Sequence, residues 1–141
     1  MNIITEKERG FRRRGKFEQG GKRMSYDISF RVKVEGVDAW VDVGECGANI
    51  TWNVRKIIEL STGLPWKNEA NNGLVKDVIP CIKKGLLELL NNPEKYKPYE
   101  SPNGWGTVEG TKYFFKQILK DWDDFIRWHE ELTDVVTFWI T

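Results

Sequence analysis

Between Tyr26 and Glu35 apolar and polar residues alternate without a break: Tyr26, Ile28, Phe30, Val32 and Val34 against Asp27, Ser29, Arg31, Lys33 and Glu35. A strict period of two specifies a β-strand with one buried and one wet face. Such a strand needs a partner. Glu35-Gly36-Val37-Asp38 supplies a turn and residues 39–43 a returning strand, which predicts an antiparallel hairpin. A lone hairpin is marginal in water, so further elements must cover its apolar face.

The rest of the chain reads mostly at helical period. After a loop at residues 44–48, Asn49 or Thr51 can cap a helix carrying Ile50, Val54, Ile57 and Ile58, closed by Gly63. Residues 64–73, with Pro65 and Asn71-Asn72-Gly73, read as a connector. Asp77 can cap the next helix and place Pro80 in its first turn; Val78, Ile82, Leu86, Leu89 and Leu90 form its stripe, and Asn91-Asn92-Pro93 ends it. Residues 98–106 are a loop that carries Trp105. Thr107 caps the longest helix, to about Glu130. Its stripe is Phe115, Leu119, Trp122, Ile126 and His129, widened by Phe114, Ile118 and Phe125. Residues 135–141 return to β pattern, with Val136, Phe138 and Ile140 on one face and Thr137 and Trp139 on the other. The expected fold is α+β: a small antiparallel sheet, hairpin plus C-terminal strand, packed against about three helices.

Charge divides the chain. Residues 1–23 hold eight Lys/Arg and three Asp/Glu, a net of +5, while residues 24–141 hold fourteen basic and eighteen acidic residues, a net of −4. The expected organisation is a glycine-rich basic arm over 1–23 followed by one domain over 24–141, a length that fits a single core. In the arm, Arg12, Arg13, Arg14, Lys16, Lys22 and Arg23 can neutralise phosphates, with Phe17 available to stack on an unpaired base. A solubilising tail accounts for the same composition. Gln19-Gly20-Gly21 can be encoded by a purine stretch like a bacterial ribosome-binding site. Met24 is therefore an expected alternative start, with residues 1–23 a translated leader or a longer isoform.

No motif for catalysis, metal or cofactor emerges. His129 is the sole histidine and falls on an apolar stripe, whereas a zinc site needs several His/Cys ligands. A dyad of His129 with Cys46 or Cys81 has no supporting local context. The thiols lack CxxC spacing and are expected reduced, in a cytoplasmic protein without a signal peptide or membrane span; a disulfide between them is the alternative. Gly44-Glu45-Cys46-Gly47 lacks the Lys-Ser/Thr of a phosphate loop and reads as a plain turn. Asp121, Asp123, Asp124, Glu130 and Glu131 make the end of the last helix acidic, which suits a solvated face or, less specifically, acid–base work or magnesium. Asp121 and Asp124 share a side with Trp128. That indole reads equally as an exposed contact or as packed under the terminal strand.

Several short motifs follow one another along the chain: Met24-Ser25-Tyr26-Asp27-Ile28, Asn49-Ile50-Thr51-Trp52-Asn53, Val78-Ile79-Pro80, Asn92-Pro93-Glu94-Lys95-Tyr96, Asn103-Gly104-Trp105-Gly106 and Glu109-Gly110. In this order the chain resembles a family of small uncharacterised proteins encoded by phages and prophages, over nearly all of residues 24–141. The resemblance implies a viral origin, hence the bacterial host cytoplasm, and no established activity. Together with the missing catalytic signature it points to a non-enzymatic accessory protein. The expected action is stoichiometric binding of a host protein or nucleoprotein, inhibiting a defence assembly such as a CRISPR-Cas complex. Nucleic-acid binding through the arm is the alternative, and an unfamiliar Asp/Glu-based enzyme a third. The expected contact residues are those of the arm with Trp105, Asp121, Asp124 and Trp128.

Overall fold

The computed structural model describes residues 25–44 and 46–141. The arm positions Arg12, Arg13, Arg14, Lys16, Phe17, Lys22 and Arg23 lie outside the described residues, as do Met24 and Glu45. The fold is α+β, with five antiparallel strands and four α-helices among the described residues. The alternating segment forms β1, Ser25–Lys33, and its hairpin partner is β2, Trp40–Gly44. Lys33 pairs with Trp40 and Arg31 with Asp42 across the hairpin. Strand β5, Thr137–Ile140, lies along the other edge of β1, with Ile28 opposite Ile140 and Phe30 opposite Phe138.

Two strands depart from the sequence expectation of three. Residues Asn49–Thr51 form β3, which pairs with the start of β1, so Ile50 lies in a strand and not on the helix assigned to it. The presumed connector contains β4, Ala70–Leu74, paired with β5. The main path through the sheet is β2-β1-β5-β4, with β3 beside β1.

Thr51 caps a short 3-10 turn that leads into α1, Arg55–Thr62, closed by Gly63 in the left-handed conformation at φ +77°. Helix α2, Val75–Asn91, has Leu74 as its N-cap, three residues before the expected Asp77 cap; Asp77 lies in the first turn instead. Pro80 is consequently the sixth helical residue, beyond the first turn. Leu90, placed on the apolar stripe from sequence, is 45% exposed, while Leu89 is fully buried. The short α3, Pro93–Tyr96, follows directly. Helix α4, Val108–Trp128, is the longest; the Thr107 hydroxyl accepts from Gly110 N–H at 2.9 Å, as its capping role requires. Helix α4 stops two residues short of Glu130, leaving His129 as its C-cap.

Helices α1 and α4 both pack on α2. The core between helices and sheet holds Tyr26, Ile28 and Phe30 from β1, Phe138 and Ile140 from β5, and Phe114, Phe115 and Ile118 from α4. At its centre is Trp66, 1% exposed, from the segment expected to be a plain connector. The other sheet face stays partly open. There Arg31 lies over the Trp139 ring at 4.7 Å, and Trp139 packs on Trp40 with centroids 5.4 Å apart.

Tyr96 fastens α3 to α2 by donating its hydroxyl to Glu88 Oε1 at 2.6 Å. Burial, and then this bond, push the Tyr96 phenol up to about 12, while the same bond holds the Glu88 carboxyl below its ordinary value. A carboxyl depressed in the folded state contributes stability above its unfolded value and loses it as pH falls through the folded one. Tyr96→Phe is therefore expected to lower the Tm at neutral pH by a few degrees. The gap to the parent protein should close as pH drops below the ordinary glutamate value. Melting both proteins by circular dichroism from neutral to acidic pH checks this; a gap that widens on acidification contradicts it.

Candidate protein-interaction surface

Helix α4 is amphipathic, and the phase of its apolar stripe decides what its other side presents. Trp122 and Phe125 turn inward onto Phe30, with ring centroids 6.0 and 5.5 Å away. Asp121, Asp124 and Trp128, at steps of three and four, then share a flank facing outward. Trp128 is 76% exposed, so of the two sequence readings the packed one is excluded.

This flank lines a groove of about 440 Å³ with Gly47, Gln117, Phe125 and His129. Asp121 is built into its wall: one carboxylate oxygen accepts from Gly47 N–H at 2.8 Å and the other from the Gln117 amide at 3.0 Å. The first bond ties the loop after β2 to α4 across 74 positions of sequence. Asp124 pairs with Lys120 at 3.1 Å and Arg127 at 3.7 Å, both on the same exposed helix surface. His129 sets its ring 5.0 Å from Phe125 at the groove end, consistent with a packing role.

Both thiols are free. Burial pushes Cys46 up to about 12, with the neighbouring Asp121 carboxylate adding to the shift. At neutral pH it is a protonated thiol, a poor nucleophile. Among the described residues no group of three or more His, Cys, Asp or Glu is placed to hold a metal ion, and no helix is long and apolar enough to cross a membrane.

Trp105 lies on a second groove, of about 610 Å³, shared with Ser25, Asn49, Ile50, Thr51, Asn53 and Asn103. Its loop is braced. Asn103 Oδ1 accepts from Trp105 N–H at 2.9 Å, and Asn53 donates its side-chain amide to the Trp105 carbonyl at 3.4 Å. Gly106, at φ +90°, passes so near Asn53 that a Cβ would stand 2.9 Å from the Asn53 Cβ. This held loop presents Trp105 at 68% exposure.

The chain matches no family model, no curated protein and no solved structure.

Asp121, Asp124 and Trp128 are thus brought together on one groove, and Trp105 sits on another with which it shares no lining residue. Gly47, Gln117 and Phe125 were not picked out from sequence as part of the surface. Only Gln117 and Phe125 left a signal, Gln117 lying one turn before Asp121 and Phe125 one turn before His129. The Trp40, Trp139 and Arg31 group on the sheet was also passed over, although Trp139 alternates with Phe138 and so must face away from the core.

Proposed function

We propose that this chain is a phage- or prophage-encoded accessory protein that acts by stoichiometric binding of a host protein or nucleoprotein. The partner class proposed is a defence assembly such as a CRISPR-Cas complex, a reading that rests on the viral origin implied by the resemblance, the missing catalytic signature and the aromatic-acidic surface of α4. The observation that carries the reading is Trp128: a full indole, 76% exposed, held on the last turn of a rigid helix at the rim of a groove. Indoles that stand out in this way are over-represented among residues dominating protein–protein affinity. Nothing in the packing of α4 needs the ring.

The test is co-purification from host lysate in fixed ratio, with Trp128→Ala and Trp105→Ala as comparators. If Trp128 is the anchor, its replacement should cost ~2 kcal/mol or more, about 30-fold in affinity, with folding unchanged. A partner held equally well by both variants would remove Trp128 and Trp105 as anchors. The second reading, nucleic-acid binding through residues 1–23, is supported by their net of +5. It predicts binding that weakens steeply with salt and disappears when those residues are deleted.

A further inference from the structure

We infer that the Trp105 groove is a docking edge for an extended, uncharged peptide segment of a protein partner, which adds to β3 as a further strand; this rests on the stoichiometric-binding reading and names the partner's chemistry. The first argument is the main chain. Both backbone groups of Asp27 are spent on the last residue. Its N–H donates to the Thr141 carbonyl at 2.9 Å, and its own carbonyl accepts from Thr141 N–H at 2.8 Å. Asp27 therefore exchanges no backbone bond with Asn49, the residue opposite it on β3. In an antiparallel ladder the N–H and C=O of such a residue point away from the neighbouring strand. Asn49 thus turns a donor and an acceptor outward, and no strand lies on that side of β3 among the described residues. Its side-chain amide turns back instead, donating to the Tyr26 carbonyl at 3.2 Å.

The second argument is how this edge differs from the others. Sheet edges are ordinarily guarded by charge or by contacts that use up the backbone. Strand β2 carries Asp42 at its middle. On β4 the Asn72 amide donates to the Lys67 and Ala70 carbonyls at 2.9 and 3.0 Å, and Asn71 Oδ1 accepts from Gly73 N–H at 2.8 Å. Strand β3, Asn49–Thr51, has no charge, and among the described residues no charged side chain lines the groove beside it. A phosphate backbone meets no cation in that lining, and a charged side chain would lose hydration without gaining a partner.

The third argument is the ring. Trp105, 68% exposed, lines the same groove as Asn49 and Ile50, on a loop held by Asn53 and Asn103. An added strand brings every second side chain to one face, where a β-branched or aromatic residue can rest on the indole. Main-chain pairing then supplies affinity and the indole supplies selection.

The full chain, labelled with nitrogen-15, is titrated with an acetylated and amidated hexapeptide of alternating threonine and valine. The control is the same peptide methylated at every backbone nitrogen, which keeps the side chains and removes the donors. The expected result is a downfield shift and slower hydrogen exchange of the Asn49 N–H, with the Trp105 indole N–H moving in step. The methylated peptide should move neither, and added salt should change nothing, since neither side of the contact is charged. Trp105→Ala should weaken binding about 10-fold while the Asn49 response persists. That variant stays folded, because the ring is mostly exposed and its loop is braced through the Trp105 main chain.

An Asn49 amide unmoved at millimolar peptide overturns the inference. So does a Trp105 that moves while Asn49 does not, because the groove then takes a stacking ring and not a strand. An Asn49 amide already protected in the free chain overturns it too, since the chain itself then occupies the edge. Failure here is distinct from failure of the stoichiometric-binding reading. Peptide pairing at Asn49 without any host partner in fixed ratio keeps the docking edge and ends that reading. A host partner in fixed ratio, with Asn49 and Trp105 silent to the peptide, does the reverse.

Discussion

Trp66→Ala is expected to lower the unfolding free energy by about 3–5 kcal/mol, the range for removing a large aromatic from a packed core. Trp66 is 1% exposed and joins three elements through edge-to-face contacts. Its ring centroid is 6.0 Å from Tyr26 on β1, 6.1 Å from Phe114 on α4 and 5.9 Å from Phe138 on β5. Alanine would leave a void bounded by rings that pack on one another and cannot all collapse inward. Urea denaturation followed by far-ultraviolet circular dichroism measures the loss. Trp66→Phe sharpens the test. The indole N–H of Trp66 is buried without a hydrogen-bond partner among the described residues, so phenylalanine forfeits volume but no bond. Its cost should be about 1–2 kcal/mol. Equal losses for the two variants would mean that ring volume is not what Trp66 contributes.

The second large effect is expected at Gly85, where α1, α2 and α4 converge. A Cβ there would stand 2.7 Å from Thr62 Cγ2 and 3.0 Å from Phe115 Cε2. Replacing a helical glycine with alanine ordinarily stabilises by ~0.5–1 kcal/mol. In this helix the sign should reverse. Overpacking of this kind costs about 1–3 kcal/mol, and the neighbours are a buried threonine methyl and an aromatic edge. Thr62→Ser removes the nearest methyl and keeps the hydroxyl that donates to the Ile58 carbonyl at 2.7 Å. The double variant Gly85→Ala/Thr62→Ser should therefore recover part of the loss, appearing as a favourable coupling energy in a double-mutant cycle. A Gly85→Ala protein as stable as its parent would show that the helices separate at little cost.

What could be read from the residues depended on how much periodicity each element carried. Strand β1 spans nine residues of strict alternation and α4 six turns of one apolar stripe, and both were legible. Strand β3 has three residues, too few for alternation to register. Ile50, Val54 and Ile57 meanwhile fall at helical spacing and draw the eye to the wrong element. Strand β4 reads ANNGL, a composition that disfavours strands. It is held by β5, while the Asn72 amide satisfies the backbone of Lys67 and Ala70 from outside the ladder. The core position of Trp66 was hidden among Pro65, Lys67 and Asn68 for the same reason: tertiary packing, not local pattern, put it there.

The interaction surface was half visible. The spacing of Asp121, Asp124 and Trp128 places them on one flank of any helix. Whether that flank meets solvent or the terminal strand depends on which way Phe125 and Trp122 turn, and that is settled by Phe30 across the sheet. The bond from Gly47 to Asp121 closes the groove wall from a distant loop. No local signal announces such a contact.

Strand β5 bears on how the molecule is made. It pairs with β1 on one side and β4 on the other, so β4 has no ladder to β1 except through it. A ribosome delivers β1 through β4 well before β5. Until then the inner edges of β1 and β4 are both bare, β1 with its apolar row alongside, and either can pair wrongly with another strand. Completion of the sheet closes a loop of more than a hundred residues in one event, a topology that folds slowly. Removing or damaging residues 137–140 would not shorten an edge but split the sheet in two.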